Sequence, residues 1–379
     1  MKTRQLTLRN DGPDDVALAS LRDISPQLVL VFAAPGRLDP ALGAALKRAL
    51  PDALSLGCTT CGEISDGGVD SGTTVVTAVH FDDPAMQGAS TEIGPMEDSR
   101  DAGRRLAAQL KGEGLRGVLV FGQGVAINGS AMLEGMTEVL GPDVVISGGL
   151  AGDNGAFVKT QVLFDGRVSD RLIGAVGFSS PRTLLSHGSF GGWQPFGPAR
   201  RVTRCDGNIL YELDGAPALE TYKRYLGAHA DGLPASGLLF PFAMLDAQHD
   251  QTGLIRTILG VNEADGSLVL AGDVHADGYL RLMHASTDSL VAGAEAAASA
   301  ASAALSARGD GLTVLVSCVG RKLVMGARVD EEVEAVGDVF GQGTTLAGFY
   351  SHGEISPMLP SSECRLHNQT MTVTFVGEA

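Results

Sequence analysis

Two separated segments of this chain share one frame of potentially reactive residues. GCTTCGEIS at 57–65 and GFYSHGEIS at 348–356 both read G-x-x-[ST]-x-G-E-I-S, and GGLAGDN at 148–154 is a shorter echo with Asp153 in place of the glutamate. Glycine adopts positive φ and admits close backbone approach, while the acid after it can accept bonds from loop N–H groups or from a ligand. The frames therefore nominate a small-ligand site. Its members are Cys58, Thr59, Thr60 and Glu63 from the first copy, Gly149 and Asp153 from the second, and Tyr350, Ser351 and Glu354 from the third. Thr59, Thr60, Tyr350 and Ser351 would hydrogen-bond an amino acid or similar metabolite, with Glu63 and Glu354 facing its ammonium group. The bland alternative is that each glutamate ties down its own turn.

Cys58-Thr59-Thr60-Cys61 is also a C-x-x-C, so thiol chemistry is a further reading. A redox dithiol gains thiolate character at a helix N-terminus, but the turn-rich GEISDGGVDSG follows here. A zinc site lacks a second ligand pair with metal spacing. Among eight histidines, His187 lies near Trp193, and His367 in LHNQTMTVTF precedes an alternating strand. A noncovalent haem needs one such histidine, an apolar slot and basic partners for its propionates, for which Arg200, Arg201 and Arg204 are available. No G-x-S-x-G, H-E-x-x-H, phosphate-loop, calcium-loop or C-x-x-C-H pattern occurs. The motifs of the familiar hydrolases are absent.

These residues need elements to hold them. LVLVF at 28–32, VVTAVHF at 75–81, GVLVF at 117–121 and LTVLVS at 312–317 are short apolar runs that read as buried strands. Helical patterns at 39–50, 99–110, 130–140 and 287–307 lie between them. Each Gly-acid frame follows a strand at similar spacing and precedes another, so the repeating unit is strand, helix, strand with its loop, then strand. The prediction is an α/β fold of such units in two packed sheet-containing modules, 1–190 and 191–379, divided in the Gly- and Pro-rich stretch that holds the only tryptophan. Trp193 there either pins the linker or packs on a planar ligand. The three loops are expected to converge around one shared hollow.

With 379 residues, the chain can bury a core without disulfide staples, and five cysteines without a secretory pattern read as thiols. Its formal charge of -16 disfavours nucleic acid and anionic membrane surfaces. No apolar run approaches the roughly 20 residues that span a bilayer. A cytoplasmic protein is expected.

GCTTCGEISDGGV, GGLAGDN, NILYELDGAPALETYKRYLG, GFYSHGEISP and LHNQTMTVTF, in that order, resemble the FIST family, with an N-type module to about 190 and a C-type module beyond. The resemblance implies a non-enzymatic sensor of small ligands in bacterial signal transduction. GGWQPFGPARRVTRCDGN and LPASGLLFPF are similar to the stand-alone nitric-oxide-sensing haemoproteins (NosP). That branch implies haem b held by a histidine, here His187, His229 or His367, with Arg200 and Arg201 nearby. It also implies a partner, a sensor histidine kinase or a diguanylate cyclase or phosphodiesterase. Two positions depart from the family pattern: His352 stands where tyrosine is usual, and Cys61 where a small residue is usual. The alternative within the resemblance is a haem-free binding protein for an amino acid or similar metabolite.

Overall fold

The glycine that opens each frame is required by strand packing. A Cβ at Gly57 would lie 2.0 Å from the Val31 carbonyl oxygen, one at Gly148 1.9 Å from that of Val120, and one at Gly348 1.9 Å from that of Leu315. In each case the blocking oxygen belongs to the parallel neighbour: Leu28–Ala33 beside Leu54–Thr59, Gly117–Gly122 beside Val145–Leu150, and Gly311–Cys318 beside Thr344–Ser351. The same glycine solves the same contact three times.

The computed structural model describes all residues except 11, 306–309 and 358–363. Around these parallel pairs the chain builds three six-stranded sheets of one design. In the first, Lys2–Leu8, Thr74–His80, Leu28–Ala33 and Leu54–Thr59 lie in that order. Met86–Glu92, Leu172–Phe178, Gly117–Gly122 and Val145–Leu150 repeat it in the second, and Thr183–Phe190, Met371–Glu378, Gly311–Cys318 and Thr344–Ser351 in the third. Each sheet is completed by a hairpin borrowed from another unit. Val162–Phe164 and Arg167–Ser169 of unit two join sheet one, Gly353–Pro357 and Cys364–His367 of unit three join sheet two, and Glu63–Ser65 and Gly68–Asp70 of unit one join sheet three. The loan closes a three-membered ring.

The ring is filled from its middle outward. Phe32, Phe121 and Phe349, one per unit and each 0% exposed, meet with centroids 5.4, 4.9 and 5.5 Å apart. Edge-on and offset contacts of this kind add about 0.5–1.5 kcal/mol per pair beyond area burial. Helices cover the outer faces and begin where the side chains cap them. Asp39 accepts from Leu42 N at 2.8 Å with Pro40 opening Pro40–Ala49, and Asn128 accepts from Ala131 N at 3.0 Å at the start of Gly129–Leu140. Ser286 and Ser289 form a capping box for Thr287–Ala303. The helix stops at Ala303, short of the expected 307: 304 and 305 are not helical, and 306 and 307 lie outside the described residues.

A second body is inserted in unit three. Between Thr183–Phe190 and Thr287–Ala303, residues 194–284 form a nine-stranded antiparallel sheet around Ala218–Leu226. Two packed sheet modules are thus present in a mixed α/β fold, but a division at 190 does not separate them. The third repeat belongs with the first two, because its sheet exchanges strands with both. Trp193 pins the crossing point: it is 8% exposed and its Nε1 donates to the Gln369 carbonyl oxygen at 2.7 Å, while Gln369 Nε2 donates to that of Leu238 in the inserted module at 2.9 Å.

Candidate functional site

The three Gly-acid loops do meet, at one end of the ring. Gly152 N donates to Thr59 O at 2.8 Å, Cys61 N to Tyr350 O at 2.7 Å, Tyr350 N to Gly62 O at 2.9 Å, and His352 N to Leu150 O at 3.2 Å. Every pair of loops is tied by backbone. They close on each other, however, and not around a hollow. Cys58, Thr60, Glu63, Tyr350, Ser351 and Glu354 are 0% exposed, Thr59 is 1% and Asp153 6%. Gly149 is packed so tightly that a Cβ would lie 2.7 Å from Val316 Cγ1.

The acids bind their own turns. Glu63 accepts from Thr60 Oγ1 and, at 2.9 Å each, from Thr73 N and Oγ1. Glu354 repeats the pattern with Ser351 Oγ at 2.7 Å and Thr370 N and Oγ1 at 3.0 and 2.9 Å. Burial pushes both carboxyls up, Glu354 to about 7, against these donors. Asp153 accepts from the backbone N–H groups of Phe157, Val158 and Lys159 at 2.7–2.9 Å. Although burial pushes it upward, His352 and those donors hold it well below the usual carboxylate range. These acids hold turns in place, and their oxygens face donors of the chain itself.

A junction of Cys61, Asp153 and His352, one from each loop, was not predicted. His352 Nε2 stands 3.2 Å from Asp153 Oδ1, Nδ1 lies 3.2 Å from Gly124 O, and Phe157 stacks on the ring at 4.2 Å. Burial would lower the imidazole, but Asp153 and the neighbouring Cys61 hold it up at about 9. Lys322 Nζ donates to Cys61 O at 2.6 Å. The shared frame carried the signal, since Cys61 and His352 occupy the same position in it. Cys58 faces the core instead, and burial pushes its thiol well up. All five cysteines are free, so Cys58 and Cys61 form no disulfide.

The residues expected around a haem do not assemble a site. His187 is on Thr183–Phe190 opposite Thr374, with its Nδ1 buried and unpartnered. His229 is in the inserted module with its ring against Phe240 at 5.2 Å, and His367 is 1% exposed with Nε2 2.8 Å from Ser356 O. Burial pushes His367 down to about 4. Arg200 is engaged by Asp214 and Tyr225, and Arg201 by Asp277. A haem needs an iron-facing imidazole beside an open slot, and none of the three histidines lines either of the two large clefts. These residues do not fit the group.

The larger cleft, about 1230 Å³, lies beside Asp66, Asp310, Asp330, Glu334 and Asp338. The other, about 460 Å³, lies where the inserted module faces the ring. Leu254, Arg256 and His275 form one wall, Leu133 and Thr137 of Gly129–Leu140 another, and Arg365 and Leu366 of Cys364–His367 the third. Its volume falls in the range of small-molecule sites. No periodic pattern marks it in the sequence, because its walls come from three distant segments.

Profiles of known families match most of the chain: the FIST N domain over residues 27–216 and the FIST C domain over 218–357. A protein of Mycobacterium tuberculosis is 30% identical over 235 residues, 60% of this chain and 57% of its own length. One of Mycobacterium bovis is 28% identical over 228 residues, 59% and 56%, and one of Methanocaldococcus jannaschii 37% over 94 residues, 24% and 17%. All three are described only as uncharacterised, and the chain matches little more than half the length of the mycobacterial relatives. A solved cyanuric acid hydrolase from A. caulinodans covers 99% of this chain and 98% of its own at 10% identity, with a TM-score of 0.36 that supports no argument.

Proposed function

This chain belongs to the FIST family, and on that premise we propose that it is a small-ligand sensor whose ligand lodges in the 460 Å³ cleft between ring and inserted module. The observation that carries the reading is the make-up of the cleft walls. Residues from the FIST N stretch and residues from the FIST C stretch face the same space, so an occupant touches both. A ligand that binds one arrangement of the two bodies better than another shifts the population toward it, and that shift is the signal. The output passes to a partner protein, for which the resemblance offers a sensor histidine kinase or a cyclic-di-GMP enzyme. Among the described residues no helix is long and apolar enough to cross a membrane.

Between the two ligand classes raised by the sequence, the geometry favours a haem-free metabolite. The cleft needs no metal, whereas His187, His229 and His367 offer no common slot. Thr137→Trp fills the cleft from Gly129–Leu140. In a thermal-shift screen of small metabolites, a compound that raises the melting temperature of the wild type and not of Thr137→Trp supports the reading. Hits that stabilise both proteins equally would overturn it. A Soret band after haem reconstitution, abolished by substituting one of the three histidines, would restore the haem alternative.

A further inference from the structure

The cleft contains a charge that the protein leaves unmatched. Arg256, the last residue of Gln251–Arg256, is 5% exposed. Its Nε donates to the Asp273 carbonyl oxygen at 2.9 Å and its Nη1 to that of Ile255 at 3.2 Å. Both acceptors are neutral. Among the described residues Arg256 forms no ion pair, and of the five N–H donors of its guanidinium only those of Nε and Nη1 meet an acceptor, while the residue itself lines the cleft. Burying such a charge without a carboxylate is expensive unless something else meets it. Burial pushes Arg256 down only to about 10, so it is still a cation at neutral pH.

The surrounding charges do not change that balance. Glu138 accepts from Arg100 and Arg104, and Glu134 lies 3.4 Å from Arg100, so these two rim acids are already engaged. Asp273 attracts Arg256 from an exposed position, while Arg365 on the facing strand repels it. Leu133, Leu254 and Leu366 supply apolar surface in the same space. The arrangement sets the unmet charge of Arg256 beside an apolar wall, and Asp273, a lining acid in no ion pair among the described residues, disfavours a doubly charged guest.

We propose that the cleft binds a carboxylate monoanion with an apolar body, the carboxylate on the Arg256 guanidinium and the body against Leu133, Leu254 and Leu366. This rests on the cleft being the ligand site. A guanidinium and a carboxylate match as paired parallel hydrogen bonds, which a neutral head group cannot reproduce.

The test uses hexanoate, hexanol and hexyl phosphate as probes on the full chain, read by calorimetric titration and thermal shift. Hexanoate is expected to bind and hexanol at least tenfold more weakly. Arg256→Met should weaken hexanoate by tenfold or more while folding at least as stably without ligand, since it removes a buried charge. Thr137→Trp should abolish hexanoate binding. If hexanol binds as well as hexanoate, and Thr137→Trp removes both, the cleft stands as a ligand site and the carboxylate assignment falls. Tighter binding of hexyl phosphate overturns the monoanion. Hexanoate binding untouched by Thr137→Trp places the ligand elsewhere and overturns the cleft reading itself, and no binding by any probe overturns the proposal.

Discussion

His352 Nε2 stands 3.2 Å from Asp153 Oδ1, so an imidazole from the third unit meets a carboxylate from the second at the closed end of the ring. Held at about 9 against an ordinary 6.5, the imidazolium contributes stability that is complete below pH 6.5 and is lost as pH rises through 9. The difference corresponds to about 3 kcal/mol. Urea unfolding of the wild type and His352→Gln should therefore differ by about that amount at pH 6 and converge above pH 9.5. An equal gap at both pH values would show that no charged pair is present.

Glu63 and Glu354 make matching bonds, so Glu63→Ala and Glu354→Ala should cost similar stability. Each leaves three buried donors without an acceptor, for a loss of about 3 kcal/mol or more. Hexanoate affinity in whatever fraction remains folded should not change. A variant that folds normally and loses ligand would return these acids to a binding role.

Gly348→Ala drives a methyl group to 1.9 Å from the Leu315 carbonyl oxygen, and this strand interior has no room to move. A loss above about 3 kcal/mol is expected, by the mechanism of overpacking. Gly112, whose added Cβ would meet nothing closer than the Leu110 carbonyl oxygen at 3.9 Å, is the control: alanine there should change stability by less than about 1 kcal/mol. Chemical denaturation of the two variants side by side checks the contrast.

Arg321 and Glu332 form a wholly buried pair at 2.6 Å, and Arg321 also bonds the carbonyl oxygens of Gly191 and Leu290. Removing one partner strands the other, so Glu332→Gln should cost about 3–5 kcal/mol. The double substitution Arg321→Met, Glu332→Leu should recover part of that loss. If the double variant is as unstable as the sum of its singles, the two charges act independently.

Much of the ring was legible in the chain. The strands at 28–32, 75–81, 117–121 and 312–317 and the helix at 99–110 stand where apolar period and length put them, because local pattern alone decides such elements. The convergence of the loops was legible too, through the repeat. Hairpin exchange was not, because the pairing of Ile64 with Gly348 or Gly353 with Leu150 depends on closure of the whole ring. Nor was the fate of the acids. A Gly-acid loop that binds a guest and one that binds its own Thr73 or Thr370 have the same composition, and only burial separates them. Arg256 gave no signal at all, since its significance comes from what does not face it.

Because each unit completes its neighbour, biosynthesis faces an ordering problem. A nascent polypeptide that has emerged through Ser169 can already seal its first sheet, but the second waits for Gly353–Pro357 and Cys364–His367, and the third for Met371–Glu378, which lies between Thr183–Phe190 and Gly311–Cys318. Until translation is nearly done, two sheets have exposed edges, and a holding chaperone would find its footing there.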